Sequence, residues 1–122
     1  MKKAFVFGVI FILVVVVIWY FSSKPGKYDD FAKCLTEKGV KMYGAYWCPH
    51  CQNQKRMFGK SWEFVDYVEC ATPGSDSPKA VCVAAGITGY PTWTFGIDRK
   101  VSGELTFEQL ASFSGCEAAL RH

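Results

Sequence analysis

The sequence predicts an α/β domain, with four strands set among helices, preceded by one N-terminal transmembrane helix. Three observations lead to this prediction. An unbroken apolar run of 18 residues, from Ala4 to Phe21, opens the chain. Beyond it, short apolar runs of strand length alternate with helical patterns. Cys48 and Cys51 stand where the first of these strands gives way to a helix. The 122 residues leave room for one such domain.

The apolar run predicts an uncleaved membrane anchor. Its length lies within the range of about 17–25 residues that is usual for transmembrane helices. Lys2 and Lys3 precede it, and the aromatic residues 19–21 close it as an interfacial belt does. A cleaved secretory signal is the alternative, but its apolar region usually spans about 7–15 residues and ends at a small-x-small site. Here Ser22 and Ser23 are the only pair of small residues near the end of the run.

The chain divides into an N-terminal tail and anchor over residues 1–21, a linker over 22–27 and a soluble domain over 28–122. Lysines flank the anchor on both sides, so the positive-inside rule gives nearly a tie for its orientation. Six cysteines in so short a chain suit an oxidising compartment. We therefore expect a single-pass protein of the cell membrane with its domain on the extracytoplasmic side.

The net charge of +3 comes from the lysines that flank the predicted membrane anchor. Without Lys2, Lys3, Lys24 and Lys27, ten basic residues remain against eleven acidic ones, and the domain carries a net charge of −1. The domain keeps no basic stripe, so we expect no nucleic-acid partner.

The domain is predicted to begin with a helix over 28–38, which Asp29 or Asp30 caps and Gly39 ends. The apolar run over 40–46 predicts the first strand.

Six further elements follow, with turn residues between them. They are a helix from Cys48 to about Lys60, a parallel strand over 64–69, a helix capped by Ser77 with Pro78 at its first position and ended by Gly86, strands over 92–95 and 100–105, and a helix opened by a Thr106–Gln109 capping box and ended near Gly115.

The Cys48–Cys51 pair carries the chemistry of the predicted site. Pro49 fits the first helical position, so Cys48 lies at a helix N-terminus, where unpaired amides and the helix dipole favour a thiolate. A thiolate attacks disulfide sulfur, and Cys51, one turn on, can then attack Cys48 and release a mixed disulfide.

His50 lies between the two cysteines. Protonated, or as a hydrogen-bond donor, it stabilises the thiolate and makes the pair more oxidising. The alternative is an exposed polar residue without a redox role. Zinc is a further alternative for these three side chains, but the sequence has no second C-x-x-C, and we expect no metal.

Several stretches carry a family resemblance. The C-x-x-C motif after a strand, followed about forty residues later by T-G-Y-P-T, resembles the thioredoxin superfamily. The wider similarity covers roughly residues 28 to 116 and is closest to the thioredoxin-like domain associated with bacterial homologues of vitamin K epoxide reductase. The stretches that carry it are 31–39, 42–45, 47–52, 67–70 and 86–93.

The resemblance implies a thioredoxin fold, with a four-stranded mixed sheet flanked by helices. It also implies a substrate-binding surface. In that fold the bond before Pro91 is cis and its loop faces the reactive cysteine, here Cys48. Tyr90 then presents its backbone to an incoming peptide, and Trp47 lies beside Cys48. An ordinary trans proline that opens a strand is the alternative.

The resemblance implies an enzyme that needs no cofactor of its own. It donates disulfides to cysteine-containing exported proteins and is reoxidised by a quinone-coupled membrane partner of the vitamin K epoxide reductase type. A disulfide reductase or isomerase is one alternative. A redox-inert peptide-binding module is another, although such a module has no need of both thiols.

Four cysteines remain outside the motif, and they allow three pairings. A Cys70–Cys82 bridge would close the loop after the second strand, for roughly 3 kcal/mol in the chain-entropy model. The resembled family has a second cysteine pair at about this place, which supports that bridge and leaves Cys34 with Cys116. Two alternatives stay open: Cys34 buried with Cys116 unpaired, and a relay in which Cys70 and Cys82 pass electrons to the motif.

Met42 departs from the family pattern. Many thioredoxins bury an acidic residue at this position, as a proton acceptor for the second cysteine of the motif. Met42 cannot accept that proton, so the sequence favours oxidation of substrates over their reduction and leaves the acceptor for Cys51 unassigned.

Overall fold

The structure of the protein is a computed structural model, which describes residues 1–121. A long N-terminal helix precedes a domain of alternating helices and strands. In chain order the elements are α1 (Lys2–Ser22), α2 (Asp29–Glu37), β1 (Lys41–Gly44), α3 (Pro49–Phe58), a 3-10 helix (Gly59–Phe64), β2 (Asp66–Glu69), α4 (Ala80–Ala84), β3 (Thr92–Phe95), β4 (Arg99–Ser102), α5 (Phe107–Ser114) and α6 (Glu117–Leu120).

Helix α1 could cross a membrane by its length and composition. It has 21 residues, and its most apolar window has a mean hydropathy of 2.9. None of its residues is buried against the rest of the chain. At its C-terminal end, the ammonium group of Lys60 donates a hydrogen bond of 2.7 Å to the carbonyl oxygen of Phe21. The end of the helix is thereby tied to the segment that follows α3.

The four strands form one mixed sheet in the order β2-β1-β3-β4. Strand β1 runs parallel to β2 and antiparallel to β3, and β3 runs antiparallel to β4. The parallel pair is joined through α3, as a strand–helix–strand crossover requires. This thioredoxin-like α/β fold, with an apolar helix in front, is the fold that the sequence predicts, and the prediction is confirmed.

The core lies on both faces of the central strands. On one face, Met42 of β1 and Trp93 of β3 pack with aromatic side chains of α2 and α3, and both are fully buried. On the other face, Tyr43 packs against a smaller cluster that contains Cys70 and Cys82. Adjacent residues of a strand point to opposite faces, which is why Met42 and Tyr43 belong to different clusters.

A buried amide fixes the helix that carries the cysteine motif. Gln54 of α3 is fully buried, and its oxygen accepts hydrogen bonds from the backbone N–H of Leu105 (2.8 Å) and the indole N–H of Trp93 (3.2 Å). Its amide nitrogen donates to the carbonyl oxygen of Leu105 at 3.0 Å. The sequence analysis did not identify this role, because a lone glutamine in a polar run resembles a surface residue.

Two of the predicted helix caps are wrong. The carboxylate of Asp29 accepts hydrogen bonds from the backbone N–H of Gly26 and the hydroxyl of Ser61, so it does not cap α2. Helix α4 begins at Ala80 rather than after Ser77, because the backbone N–H of Lys79 is bonded to the carbonyl of Cys70 and Lys79 itself has an extended backbone.

The end of the sheet also differs from the prediction. Strand β4 stops at Ser102 instead of Leu105, because Gly103 takes a positive φ of 103° and its N–H bonds to the carbonyl oxygen of Pro91. The capping box of Thr106 and Gln109 is confirmed, with both of its hydrogen bonds present. The short helix α6 was not predicted.

Candidate active site

Cys48 is the residue that caps the N-terminus of α3. Strand β1 ends at Gly44, the chain turns, and Pro49 occupies the first position of the helix. The backbone N–H of Cys51 donates to the sulfur of Cys48 at 3.4 Å. A sulfur in this place accepts a hydrogen bond from an amide N–H that has no carbonyl partner within the helix. It also lies at the positive end of the helix dipole. Both effects favour a negative charge on Cys48.

Cys51 is the more deeply buried of the two thiols. It is 0% exposed, whereas Cys48 is 4% exposed. Burial, together with a hydrogen bond to Cys48, raises the pKa of the Cys51 thiol to about 12, although the backbone at Ala45 and the charge of Lys55 oppose this rise. The Cys51 thiol therefore stays protonated at neutral pH and can donate a hydrogen bond to a Cys48 thiolate. Both thiols are free in the structure.

The Pro91 loop closes over Cys48. The Tyr90–Pro91 peptide bond is cis, and the thiol of Cys48 donates to the carbonyl oxygen of Tyr90 at 3.7 Å. The rings of Trp47 and Tyr90 meet edge to face with their centroids 6.0 Å apart. Trp47 is 58% exposed, so this pair presents aromatic surface to solvent beside the sulfur.

A cleft of about 190 Å³ opens next to this surface. Trp47 and Tyr90 form one wall, and the loop that follows β2 forms the other. Cys70 also lines the cleft, and its disulfide to Cys82 ties that loop to α4. Trp47 precedes Cys48 in the chain, and the carbonyl oxygen of Tyr90 accepts a hydrogen bond from its thiol, so a peptide bound in the cleft would contact aromatic surface near the sulfur.

His50 is exposed on the first turn of α3. Its Nδ1 atom lies 2.8 Å from a carboxylate oxygen of Glu104, which is an ion pair when the imidazole is protonated. Glu104 follows β4 and is separated from His50 by 54 residues. Glu104 is not recognisable from the sequence as a partner of His50, because nothing in the local pattern relates two positions so far apart.

Met42 lies on β1 opposite Tyr67 of β2 and is fully buried. Polar groups near Cys51 come instead from β2. The Tyr67 hydroxyl donates to a carboxylate oxygen of Glu69 at 2.5 Å. The ammonium of Lys55 lies 3.9 Å from the centroid of the Tyr67 ring. None of these three residues is recognisable from the sequence, because Tyr67 and Glu69 lie in a strand that alternates only in part and Lys55 lies in a polar run on α3.

The remaining four cysteines form two disulfides. Cys70 is joined to Cys82, and Cys34 of α2 is joined to Cys116 at the start of α6. These are the two pairs that the sequence analysis favours. The second bridge connects the two ends of the domain, since its cysteines lie 82 residues apart. Within residues 1–121, no three His, Cys, Asp or Glu side chains converge in a way that could hold a metal ion.

Two of the known proteins that resemble the chain align with it over 88 residues each. The chain is 42% identical to the thiol-disulfide oxidoreductase LTO1 of Arabidopsis thaliana, over 69% of its own length and 23% of the relative. It is 33% identical to protein disulfide isomerase-like 2-1 of Oryza sativa subsp. japonica, over 66% of its length and 24% of the relative. No protein-family model matches the chain.

The chain thus spans less than a quarter of the length of either relative. Both relatives carry a thiol–disulfide activity in their names, and the four-stranded mixed sheet with its helices is thioredoxin-like. Together the relatives and the sheet support a place for this chain in the thioredoxin-like superfamily.

Proposed function

We propose that the protein is a membrane-anchored thiol–disulfide oxidoreductase that donates disulfides to exported proteins. The observation that carries the proposal is the position of Cys48. Its sulfur caps a helix N-terminus, lies against the buried thiol of Cys51 and faces the carbonyl oxygen of Tyr90 at the edge of a cleft. This arrangement provides an activated sulfur, a second thiol within reach and a surface for a peptide.

The proposed reaction proceeds by two exchanges. A substrate thiolate attacks the sulfur of Cys48 in the Cys48–Cys51 disulfide, and a mixed disulfide forms while Cys51 leaves with the electron pair as a thiolate and takes up a proton. A second substrate thiolate then attacks the substrate sulfur of the mixed disulfide, and Cys48 leaves as a thiolate. The substrate ends as a disulfide, and the protein ends as a dithiol.

The oxidising direction is supported by what stabilises the dithiol state. The helix N-terminus and the Cys51 N–H favour a charged Cys48, and the protonated Cys51 can donate to it. A stabilised reduced form makes the corresponding disulfide a stronger oxidant. The relative from Arabidopsis, which is named a thiol-disulfide oxidoreductase, agrees with this class of reaction.

The proposed setting is the extracytoplasmic side of the cell membrane. Helix α1 has the length and composition for an anchor. Two disulfides outside the motif suit an oxidising compartment. The regenerating oxidant in this proposal is a quinone-coupled membrane protein of the vitamin K epoxide reductase type, which takes two electrons and two protons from the Cys48–Cys51 dithiol.

A disulfide isomerase is the second candidate. The relative from rice carries that activity in its name. The deep burial of Cys51 also favours isomerisation, because a slow attack by Cys51 would leave the mixed disulfide time to rearrange. An isomerase must keep its motif reduced in use, whereas an oxidase must keep it oxidised.

The experiment uses the full chain purified in detergent. We expect Cys51→Ser to trap mixed disulfides with a disulfide-containing peptide, as the Cys48 thiolate attacks the peptide disulfide and releases one peptide thiol, and Cys48→Ser to trap none, since only Cys48 is activated. A glutathione titration of the wild-type motif should give a potential nearer to about −120 mV, as for strong oxidases, than to about −270 mV, as for thioredoxin. Trapping by Cys48→Ser alone would reverse the roles. A potential near the thioredoxin value would favour the reductase or isomerase.

A further inference from the structure

Cys51 has to exchange a proton in every cycle of the proposed reaction, and this inference rests on that proposed function. The thiol is 0% exposed, so water cannot reach it directly. Burial and the hydrogen bond to Cys48 raise the pKa of Cys51 to about 12, so that its thiolate is rare at neutral pH. Met42, on the adjoining strand, has no group that accepts a proton. A path for the proton must therefore come from another side.

Tyr67 is the polar side chain that borders the same space in front of Gly44 as Cys51 does. Both approach the same point in front of Gly44: a Cβ atom built there would lie 2.9 Å from the sulfur of Cys51, 3.0 Å from the Tyr67 ring and 3.3 Å from its hydroxyl oxygen. The absence of a side chain at Gly44 thus leaves a small space beside the backbone of β1 that the thiol and the phenol both border. Burial and the hydrogen bond to Glu69 raise the pKa of Tyr67, which keeps its hydroxyl protonated.

Glu69 connects Tyr67 with the surface. One carboxylate oxygen accepts the Tyr67 hydroxyl at 2.5 Å, and the other accepts the backbone N–H groups of Tyr46 at 2.9 Å and Ala71 at 3.1 Å. The carboxylate is thereby held in one orientation. Glu69 is only half-buried, unlike Cys51, so it can exchange protons with water.

Lys55 completes the surroundings of the thiol. It lies one turn after Cys51 on α3, and its ammonium sits 3.9 Å from the centroid of the Tyr67 ring. Its charge favours the Cys51 thiolate. Among the described residues, the titratable groups that act on Cys51 and Tyr67 are therefore Cys48 and Lys55 from α3 and Glu69 from β2.

We propose that Tyr67 and Glu69 form the proton path of Cys51. When a substrate displaces Cys51 as a thiolate, the Tyr67 hydroxyl passes a proton to the sulfur and regains one from Glu69, which is resupplied by water. When Cys51 attacks a mixed disulfide at Cys48, the proton of its thiol travels the opposite way, to the Glu69 carboxylate and then to water. The path carries protons only, and the electron balance of the disulfide exchange is unchanged.

The test separates the step of Cys48 from the step of Cys51. The reduced full chain in detergent is mixed with glutathione disulfide, and the tryptophan fluorescence is followed in a stopped-flow instrument. The first phase, attack by Cys48, depends on glutathione disulfide concentration. The second phase, attack by Cys51 on the mixed disulfide, does not. Cys51→Ser identifies the second phase by abolishing it.

In Tyr67→Phe and in Glu69→Gln, we expect the second phase at neutral pH to slow by about 10²-fold, the lower end of what a positioned acid or base contributes. The first phase should keep its rate, which also shows that each variant is folded around Cys48. The double variant should be no slower than either single one, because the two residues form one path. As the pH approaches the Cys51 pKa of about 12, the thiol is ionised before it attacks and needs no proton acceptor, so the variants should approach the wild type.

Tyr43→Phe and Glu37→Gln are the matched controls, since Tyr43 packs on the opposite face of β1 and Glu37 is exposed at the end of α2. Three results would overturn the proton path: an unchanged second phase, a second phase slowed equally at every pH, or a slowing in only one of the two variants. If the wild type shows neither phase, it is the proposed function that fails.

Discussion

Replacing Gly44 by alanine tests how closely the Cys51 thiol, the Tyr67 ring and β1 are packed. The added Cβ would meet the sulfur at 2.9 Å and the ring at 3.0 Å, against a preferred separation of about 3.5–4.0 Å between carbon atoms. The sulfur cannot retreat easily, because it is fully buried between β1 and α3, the helix that carries Cys51. The ring is held by the hydrogen bond to Glu69. Relief therefore requires a shift of the strand or of the helix.

The cost follows from two opposing effects. Overpacking of a filled core costs about 1–3 kcal/mol. Alanine in a strand recovers about 0.5–1 kcal/mol relative to glycine through the entropy of the unfolded chain. We expect Gly44→Ala to lower the free energy of unfolding by roughly 1–2 kcal/mol. For a domain of this size, each kcal/mol lowers the Tm by about 4–8 °C.

Urea and thermal unfolding of the full chain in detergent measure this loss. Gly89→Ala is the matched control, because a Cβ there meets no atom within 4 Å and its φ lies outside the left-handed region. We expect the control to stay within about 0.5 kcal/mol of the wild type. If Gly44→Ala is as stable as Gly89→Ala, the thiol and the phenol are not packed against the strand, and the geometry behind the proton path is wrong.

Three further predictions concern the thiols. The reduced protein should lose stability relative to the oxidised one as the pH rises from about 9 to about 12, because the raised pKa of Cys51 lets the unfolded chain ionise first. At 1.36 kcal/mol per unit, the loss approaches about 4 kcal/mol. Urea unfolding of both redox forms measures it, and parallel curves would contradict it. His50→Ala should make the potential of the motif more negative in a glutathione titration, since an imidazolium no longer stabilises the thiolate. An unchanged potential would indicate that His50 is an exposed polar residue without a redox role. Reductant should open Cys48–Cys51 well before Cys70–Cys82, since structural bridges usually have potentials below about −300 mV. Mass mapping of alkylated cysteines across a glutathione series checks this order, and equal sensitivity would favour an electron relay between the two pairs.

The sequence predicts those parts of the fold in which local pattern and packing agree. Strand β3 has the predicted bounds of Thr92–Phe95, because its four residues are all buried and turn residues flank it. The capping box at Thr106 forms as its spacing predicts, since both of its bonds are local. The position of Cys48 at the start of a helix follows in the same way from Pro49.

The parts that the sequence could not predict depend on contacts between distant residues. Asp29 is chemically able to cap a helix, but Ser61 lies 32 residues away and takes its carboxylate. Likewise, Glu104 reaches His50 only after the chain has passed through β2, β3 and β4. The role of Glu69 depends on the register that brings β2 against β1, and register is a property of the folded sheet.

The buried amide of Gln54 has a consequence for how the motif can move. Unwinding α3 beyond its first turn would leave the indole N–H of Trp93 and the backbone N–H of Leu105 without a hydrogen-bond acceptor. Each unsatisfied group would cost about 1–3 kcal/mol of stability. The second turn of α3 therefore stays in place. Any rearrangement that accompanies the exchange of Cys51 between thiol and disulfide has to occur in the first turn and in the residues before it. We therefore expect a partner that distinguishes the two redox forms to recognise the small surface around Cys48.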